Sequence, residues 1–143
     1  MRNSFLSTVL AFCLSAFPLK AADSMAVAFV VNPSTRIGDL GIAEVRKLFL
    51  GEKETLPNGR KAILLMAPVG TPQRLAVLQQ IYKMNEKEFA KYVLHSAFTG
   101  RYSPPREVTI SDMKQIVSEN PAAIGYMPIS EVDQAVRPVL VIH

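Results

Sequence analysis

Cysteine is nearly absent. The 143 residues hold one, Cys13, and no tryptophan. A lone thiol excludes an intrachain disulfide framework, so the fold has to stand on its apolar core. The two histidines, His95 and His143, lie far apart in the sequence, and with no second cysteine a structural zinc site is not expected. No serine, histidine and acid arrangement emerges from the spacings. Glu52 and Glu54 sit in a loop-like stretch and read as solvated acids, which gives no basis for two-carboxylate glycosidase chemistry. No cofactor is expected and catalysis is not. Positive charge is modest. The formal net charge is +4, too little for the dense basic face of a nucleic-acid binder. Beyond residue 22 no second long apolar run occurs, so the chain does not read as an integral membrane protein.

What is present begins with an export signal. Arg2 supplies a positive start, Phe5 to Leu19 is apolar and uncharged, and small residues Ala21 and Ala22 precede Asp23. This basic, apolar, small order is that of a cleaved secretory segment, and the run is short of the roughly 20 residues that span a bilayer. The expected organisation is a signal peptide over 1–22 and a single domain over 23–143 in the periplasm. Cleavage removes Cys13, together with Arg2 and Lys20, which lowers the excess of bases by two. Lipid attachment at Cys13 is disfavoured by the bulk of Phe12.

Apolar runs then alternate with helical spacing. Ala26 to Val31, Ile63 to Met66, Ala123 to Tyr126 and Val139 to Ile142 are short continuous apolar runs, the pattern of strands buried on both faces. Between them, Ile42, Val45, Leu48 and Phe49 recur at helical spacing before Gly51. Thr71-Pro72 marks a helix start with a hydroxyl cap and proline at the first position; Leu75, Leu78, Ile81 and Tyr82 are its expected buried stripe. Asn85 and Glu88 form a capping-box pattern ahead of a helix that faces Phe89, Tyr92, Val93 and Ala97 inward and stops at Gly100. Pro104 and Pro105 force an extended link, and Ser111 is the expected cap of a last helix through Met113, Ile116 and Val117. Strands alternating with helices predict an α/β fold, a mixed or parallel sheet covered by helices.

Three segments carry a resemblance. They are Val30-Val31-Asn32-Pro33-Ser34 with the later Leu48-Phe49-Leu50-Gly51; the Gly70-Thr71 turn with Phe98-Thr99-Gly100 and Pro104-Pro105; and Pro121-Ala122-Ala123-Ile124-Gly125-Tyr126. In this order they resemble the second lobe of phosphate-type substrate-binding proteins of ABC importers and their short single-domain relatives, over about Ala26 to His143. The resemblance implies one three-layer lobe of a type II periplasmic-binding-protein-like fold. It also implies phosphate held by backbone amides, hydroxyls and an arginine between two closing lobes. This chain has length for one lobe, and its phosphate loop is reduced to Val69-Gly70-Thr71-Pro72, so weak affinity is expected.

The residues themselves point to the same turn. Free amides at a helix start, with the helix dipole behind them, favour an anion; Gly70 allows close approach, Thr71 adds a hydroxyl, and Arg74 in the first turn can offer a charged fork. The bland alternative is a plain cap with Arg74 solvated. Ser34 and Thr35, with Arg36 beside them, follow the first strand, where loops commonly line ligand crevices in α/β sheets; the alternative is a polar turn. Arg60, Lys61 and Arg101 read as solvated loop bases, and Tyr126 either packs across the crevice or sits half-buried with its hydroxyl satisfied. Two functions remain open. One is an exported, non-catalytic module that binds phosphate or a similar oxyanion at Gly70, Thr71, Arg74, Ser34 and Thr35, in the manner of an ABC-transporter receptor. The other is an envelope accessory domain that kept the lobe, lost the ligand and docks a protein partner.

Overall fold

A computed structural model describes residues 26–100 and 102–143. The expected signal peptide, its cleavage site, Cys13, the domain start at Asp23 and the solvated role of Arg101 lie outside the described residues. Five strands form one sheet in the order β3-β2-β4-β1-β5. They are β1 Val27–Val31, β2 Ile63–Met66, β3 Arg106–Glu107, β4 Ala123–Pro128 and β5 Arg137–Ile142. The four apolar runs therefore lie in a single sheet as expected, and two-residue β3 extends its edge. The sheet is mixed: β2 runs parallel to β3 and β4, whereas β1 runs antiparallel to β4 and β5.

The continuous apolar character of β1 has a plain cause. All five of its residues are buried, because both sheet faces are covered by helices. On one face, Phe29 from β1 and Tyr126 from β4 meet Phe49 of helix α1 (Ile42–Phe49), with ring centroids 5.5 and 6.5 Å away. Tyr82 and Phe89 extend this aromatic cluster at centroid spacings of 6.3 and 4.8 Å. Tyr82 ends a π-helical turn, Leu78–Tyr82, that continues helix α2 (Pro72–Val77), and Phe89 belongs to helix α3 (Glu86–Thr99). The other face carries helix α4 (Ile110–Glu119). There Gly125 admits α4 closely: a Cβ at this position would come 2.6 Å from the Met113 side chain.

Local chemistry sets most helix ends. Thr71 caps α2, with Pro72 at its first position. Asn85 and Glu88 close a reciprocal capping box on α3, and Gly100 ends it in the left-handed conformation at φ +65°. Three expectations are corrected. The cap of α4 is Thr109, whose hydroxyl accepts from the Asp112 N–H at 3.1 Å, so the helix starts earlier than Ser111 suggests. Leu75 is exposed, and Arg74 takes the inward position in its place; Arg74, Val77, Leu78 and Ile81 repeat at helical spacing, which leaves Leu75 on the outer side. Ala97 is exposed as well: Phe89, Tyr92, Val93 and Ser96 form the inward stripe of α3, and Ala97 falls at its margin.

Candidate functional site

Two loop clusters hold the sequence-predicted binding residues, and they sit at opposite ends of the sheet. Antiparallel register pairs Val31 with Ile124 and Val27 with Pro128, so β1 ends where β4 begins. Parallel register pairs Leu64 with Ile124, so β2 ends where β4 ends. Ser34 and Thr35 accordingly lie at the entrance of β4, and Gly70, Thr71 and Arg74 lie beyond its exit. The six residues of β4 separate them by roughly 20 Å. The structure gathers Gly70, Thr71 and Arg74 and leaves Ser34 and Thr35 apart. Loops that follow strand ends share a crevice when the strands are parallel, and β1 and β2 are not.

Within each cluster the polar groups serve the fold. The Ser34 hydroxyl donates to Asn32 Oδ1 at 2.6 Å and the Thr35 hydroxyl to the Pro121 carbonyl at 2.8 Å. Asn32 is the hub. Its amide donates to the Val117 and Ser118 carbonyls at 3.0 and 2.8 Å, and this ties the end of β1 to the end of α4. Arg137 donates to the Thr35 and Ile37 carbonyls at 2.9 and 2.8 Å and closes the same loop from β5. The side-chain oxygen of Asn32 and its two amide hydrogens are thus satisfied by Ser34 on one side and the end of α4 on the other.

At the other end, Gly70 turns the chain at φ +88°, a conformation that favours glycine, with open space around it. The Thr71 hydroxyl donates to the Pro68 carbonyl at 2.8 Å and accepts from the Arg74 N–H at 3.3 Å. Arg74 is neither an offered fork nor a solvated side chain. It is only 6% exposed. Its Nε and Nη2 donate to the two Glu86 oxygens at 2.7 and 3.0 Å, and Nη1 donates to Glu107 at 3.1 Å and to the Ala67 carbonyl at 3.1 Å. The guanidinium also stands 5.5 Å from the centroid of the Phe89 ring. Burial disfavours its charge, but the hydrogen bonds and charge of Glu86, with Glu107 behind them, outweigh that, so its pKa is raised. Two carboxylates occupy the place where an oxyanion would meet this arginine. Tyr126 completes the clamp: its hydroxyl accepts from the Ala67 N–H at 3.0 Å, and burial raises its pKa far above the ordinary phenol value. It is fully buried rather than lying across a crevice.

The overall arrangement nevertheless has close counterparts. No protein-family model matches the sequence, and comparison with curated proteins finds none similar. Among solved structures, an ABC-type phosphate transport receptor from Vibrio cholerae superposes with a TM-score of 0.62 at 17% identity, over 81% of this chain and 47% of that one. A phosphate ABC transporter substrate-binding protein from Clostridium perfringens, solved with phosphate bound, gives 0.63 at 18%, over 80% and 44%. PstS from Borrelia burgdorferi gives 0.60 at 12%, over 80% and 46%. The chain shares the fold of the matched part of these receptors and spans less than half of their length.

On this receptor fold, two surface features stand out that sequence reasoning missed. One is an apolar groove of about 460 Å³ beside α3, lined by Val69, Phe89, Ala90, Val93, Leu94 and Ala97, with Arg74 and Glu86 at its polar end. Phe98, one residue beyond, is 85% exposed. The other is a cleft of about 300 Å³ at the start of β2, which Lys53, Lys61 and Arg106 line together with Leu48, Leu64 and Tyr102. Capping patterns in the sequence register α3 as a helix but give no measure of how much of its apolar side stays exposed. Among the described residues no helix is long and apolar enough to cross a membrane, and no group of three metal-ligating side chains converges.

Proposed function

We propose that this chain is an exported, non-catalytic lobe of the phosphate-receptor fold that works by docking an envelope protein rather than by holding phosphate. The observation that carries this reading is the state of Arg74. Every nitrogen of its guanidinium already donates to Glu86, Glu107 or Ala67, so a phosphate approaching it meets two carboxylates already in place. The groove along α3 supports the docking role: Val69, Leu94 and Phe98 are all more than half exposed, and such a contiguous apolar surface on a small domain is the usual mark of a protein contact. An apolar segment of the partner is the complement of this groove. The receptor fold of the neighbours supports a role in binding rather than in catalysis, and an export signal at the N-terminus accords with an envelope location.

A second reading keeps the oxyanion. It is favoured by the exposed Gly70 turn, where the chain can be approached without a side chain in the way, and by the phosphate bound in the Clostridium perfringens relative. In it, Gly70 and Thr71 form a weak site that Arg74 supports from behind, while Ser34 and Thr35 take no part. Calorimetric titration with phosphate separates the two. The docking role predicts no heat of binding up to about 10 mM, where a millimolar site worth about 4 kcal/mol would already be saturating. Measurable binding that Thr71→Ala weakens would replace docking with the oxyanion reading. On the docking side, a photoreactive residue at Phe98 should crosslink to one envelope protein, and Leu94→Glu should abolish that crosslink.

A further inference from the structure

The cleft at the start of β2 is chemically unlike either end of the Arg74 network. Its wall on one side is the end of α1 and the turn after it, Leu48 and Gly51. Its floor is the entry to β2, Ala62 to Leu64, and its far wall is the Tyr102 to Arg106 segment. Tyr102 lies flat against the glycine turn: a Cβ on Gly51 would come 2.3 Å from its ring. The Tyr102 hydroxyl donates to the Phe49 carbonyl at 2.6 Å, and burial pushes its pKa up to about 12. The ring is therefore a neutral, apolar wall anchored through its hydroxyl. Pro104 leaves that wall without one backbone donor.

Three cations, Lys53, Lys61 and Arg106, line this space against one acid, Glu54. Among the described residues none of the three makes a salt bridge or a side-chain hydrogen bond, whereas Arg74 and Lys114 do. Like charges gathered around one partly apolar cleft repel one another, and an anion between them relieves that repulsion. Apart from Ser103 the remaining lining is mostly apolar, and Ile63 is 40% exposed there, so a bare inorganic ion would leave that surface wet. A volume near 300 Å³ is at the small end of ligand sites.

We propose that this cleft binds a small organic anion, a carboxylate or phosphate monoester carrying an apolar body, with Lys53, Lys61 and Arg106 around the charge and Leu48, Leu64 and Tyr102 against the body. The site lies at the opposite end of β2 from Gly70 and Thr71, so it stands whether or not the turn there holds phosphate.

Backbone-amide NMR during titration of the folded chain is the test, with phenyl phosphate and benzoate as probes, benzyl alcohol as the neutral analogue and inorganic phosphate as the body-less one. The anionic aromatics should shift the amides of residues 61–64 and 102–106. Lys61→Gln and Arg106→Gln should each weaken binding by about tenfold, as expected for loss of a charge-assisted contact, and Lys91→Gln on the exposed face of α3 should leave it unchanged. Inorganic phosphate should bind about tenfold more weakly than phenyl phosphate, since the apolar contact is missing. The proposal is overturned if the aromatic anions bind no better than benzyl alcohol, or cause no shifts up to about 10 mM. It is equally overturned if their shifts fall at Gly70 and Thr71, or if the glutamine variants bind as the unmodified chain does.

Discussion

Arg74 and Arg106 flank the same short parallel pair of strands, yet they have opposite chemical fates. Arg74 is buried and donates to four oxygens, two of them on Glu86, one on Glu107 and one on Ala67. Arg106 is exposed on β3, one residue before the Glu107 that neutralises Arg74, and it makes no ion pair among the described residues. Adjacent residues of a strand face opposite sides of the sheet, which is how a single dipeptide serves two different surroundings. The difference teaches that an arginine near a helix start is no measure of anion affinity. What counts is whether its donors are already spent, and that is a property of the neighbours it folds against.

Four substitutions would break or sharpen this contrast. Arg74→Ala has the largest expected effect, a loss of about 2–4 kcal/mol of stability in urea unfolding, because Glu86, Glu107 and the Ala67 carbonyl lose their common partner; the half-exposed carboxylates can rehydrate, which keeps the loss below that of a fully buried pair. A stable Arg74→Ala chain that has instead lost phosphate binding would reverse the assignment of this residue. Tyr126→Phe comes next. It orphans the buried Ala67 N–H and should cost about 1–2 kcal/mol by the same measurement, with the midpoint moving and the slope unchanged. Thr71→Ala removes a helix cap, for about 1 kcal/mol, and under the docking reading it has no phosphate binding to lose. Arg106→Ala should be the mildest, within about 0.5 kcal/mol, since the side chain has no partner to leave behind. A large loss there would show that Arg106 is structural after all and would weaken the case for the cationic cleft.

Much of the fold is legible in local pattern. The apolar runs at Val27, Ile63, Ala123 and Val139 announce strands, and those of β1 and β4 are covered on both faces as continuity suggests, whereas Ile63 at the start of β2 and Val141 on the edge strand β5 are exposed. Thr71-Pro72, Asn85 with Glu88, and Gly100 mark helix ends through side-chain and backbone chemistry that acts within a few residues. The misplacements follow from the same locality. Thr109 and Ser111 are both competent caps, and the choice between them depends on which turn lets Ile110 pack. Leu75 and Arg74 are neighbours on one helix, and only the carboxylates of Glu86 and Glu107, twelve and thirty-three residues away, make burial of the arginine favourable.

The sequence by itself determined four of the strands, the main helices, the α/β class and the Gly70-Thr71 helix start, because each rests on periodicity and capping over short spans. Only the tertiary structure decided what the candidate site is. Strand direction is a non-local quantity, and the antiparallel course of β1 beside β4 carries Ser34 and Thr35 away from Thr71. The pairing of Arg74 with two distant glutamates, and the gathering of Lys53, Lys61 and Arg106 around one cleft, likewise depend on how separate segments meet in space. Charge acts through distance, and distance between segments is what a linear sequence does not contain.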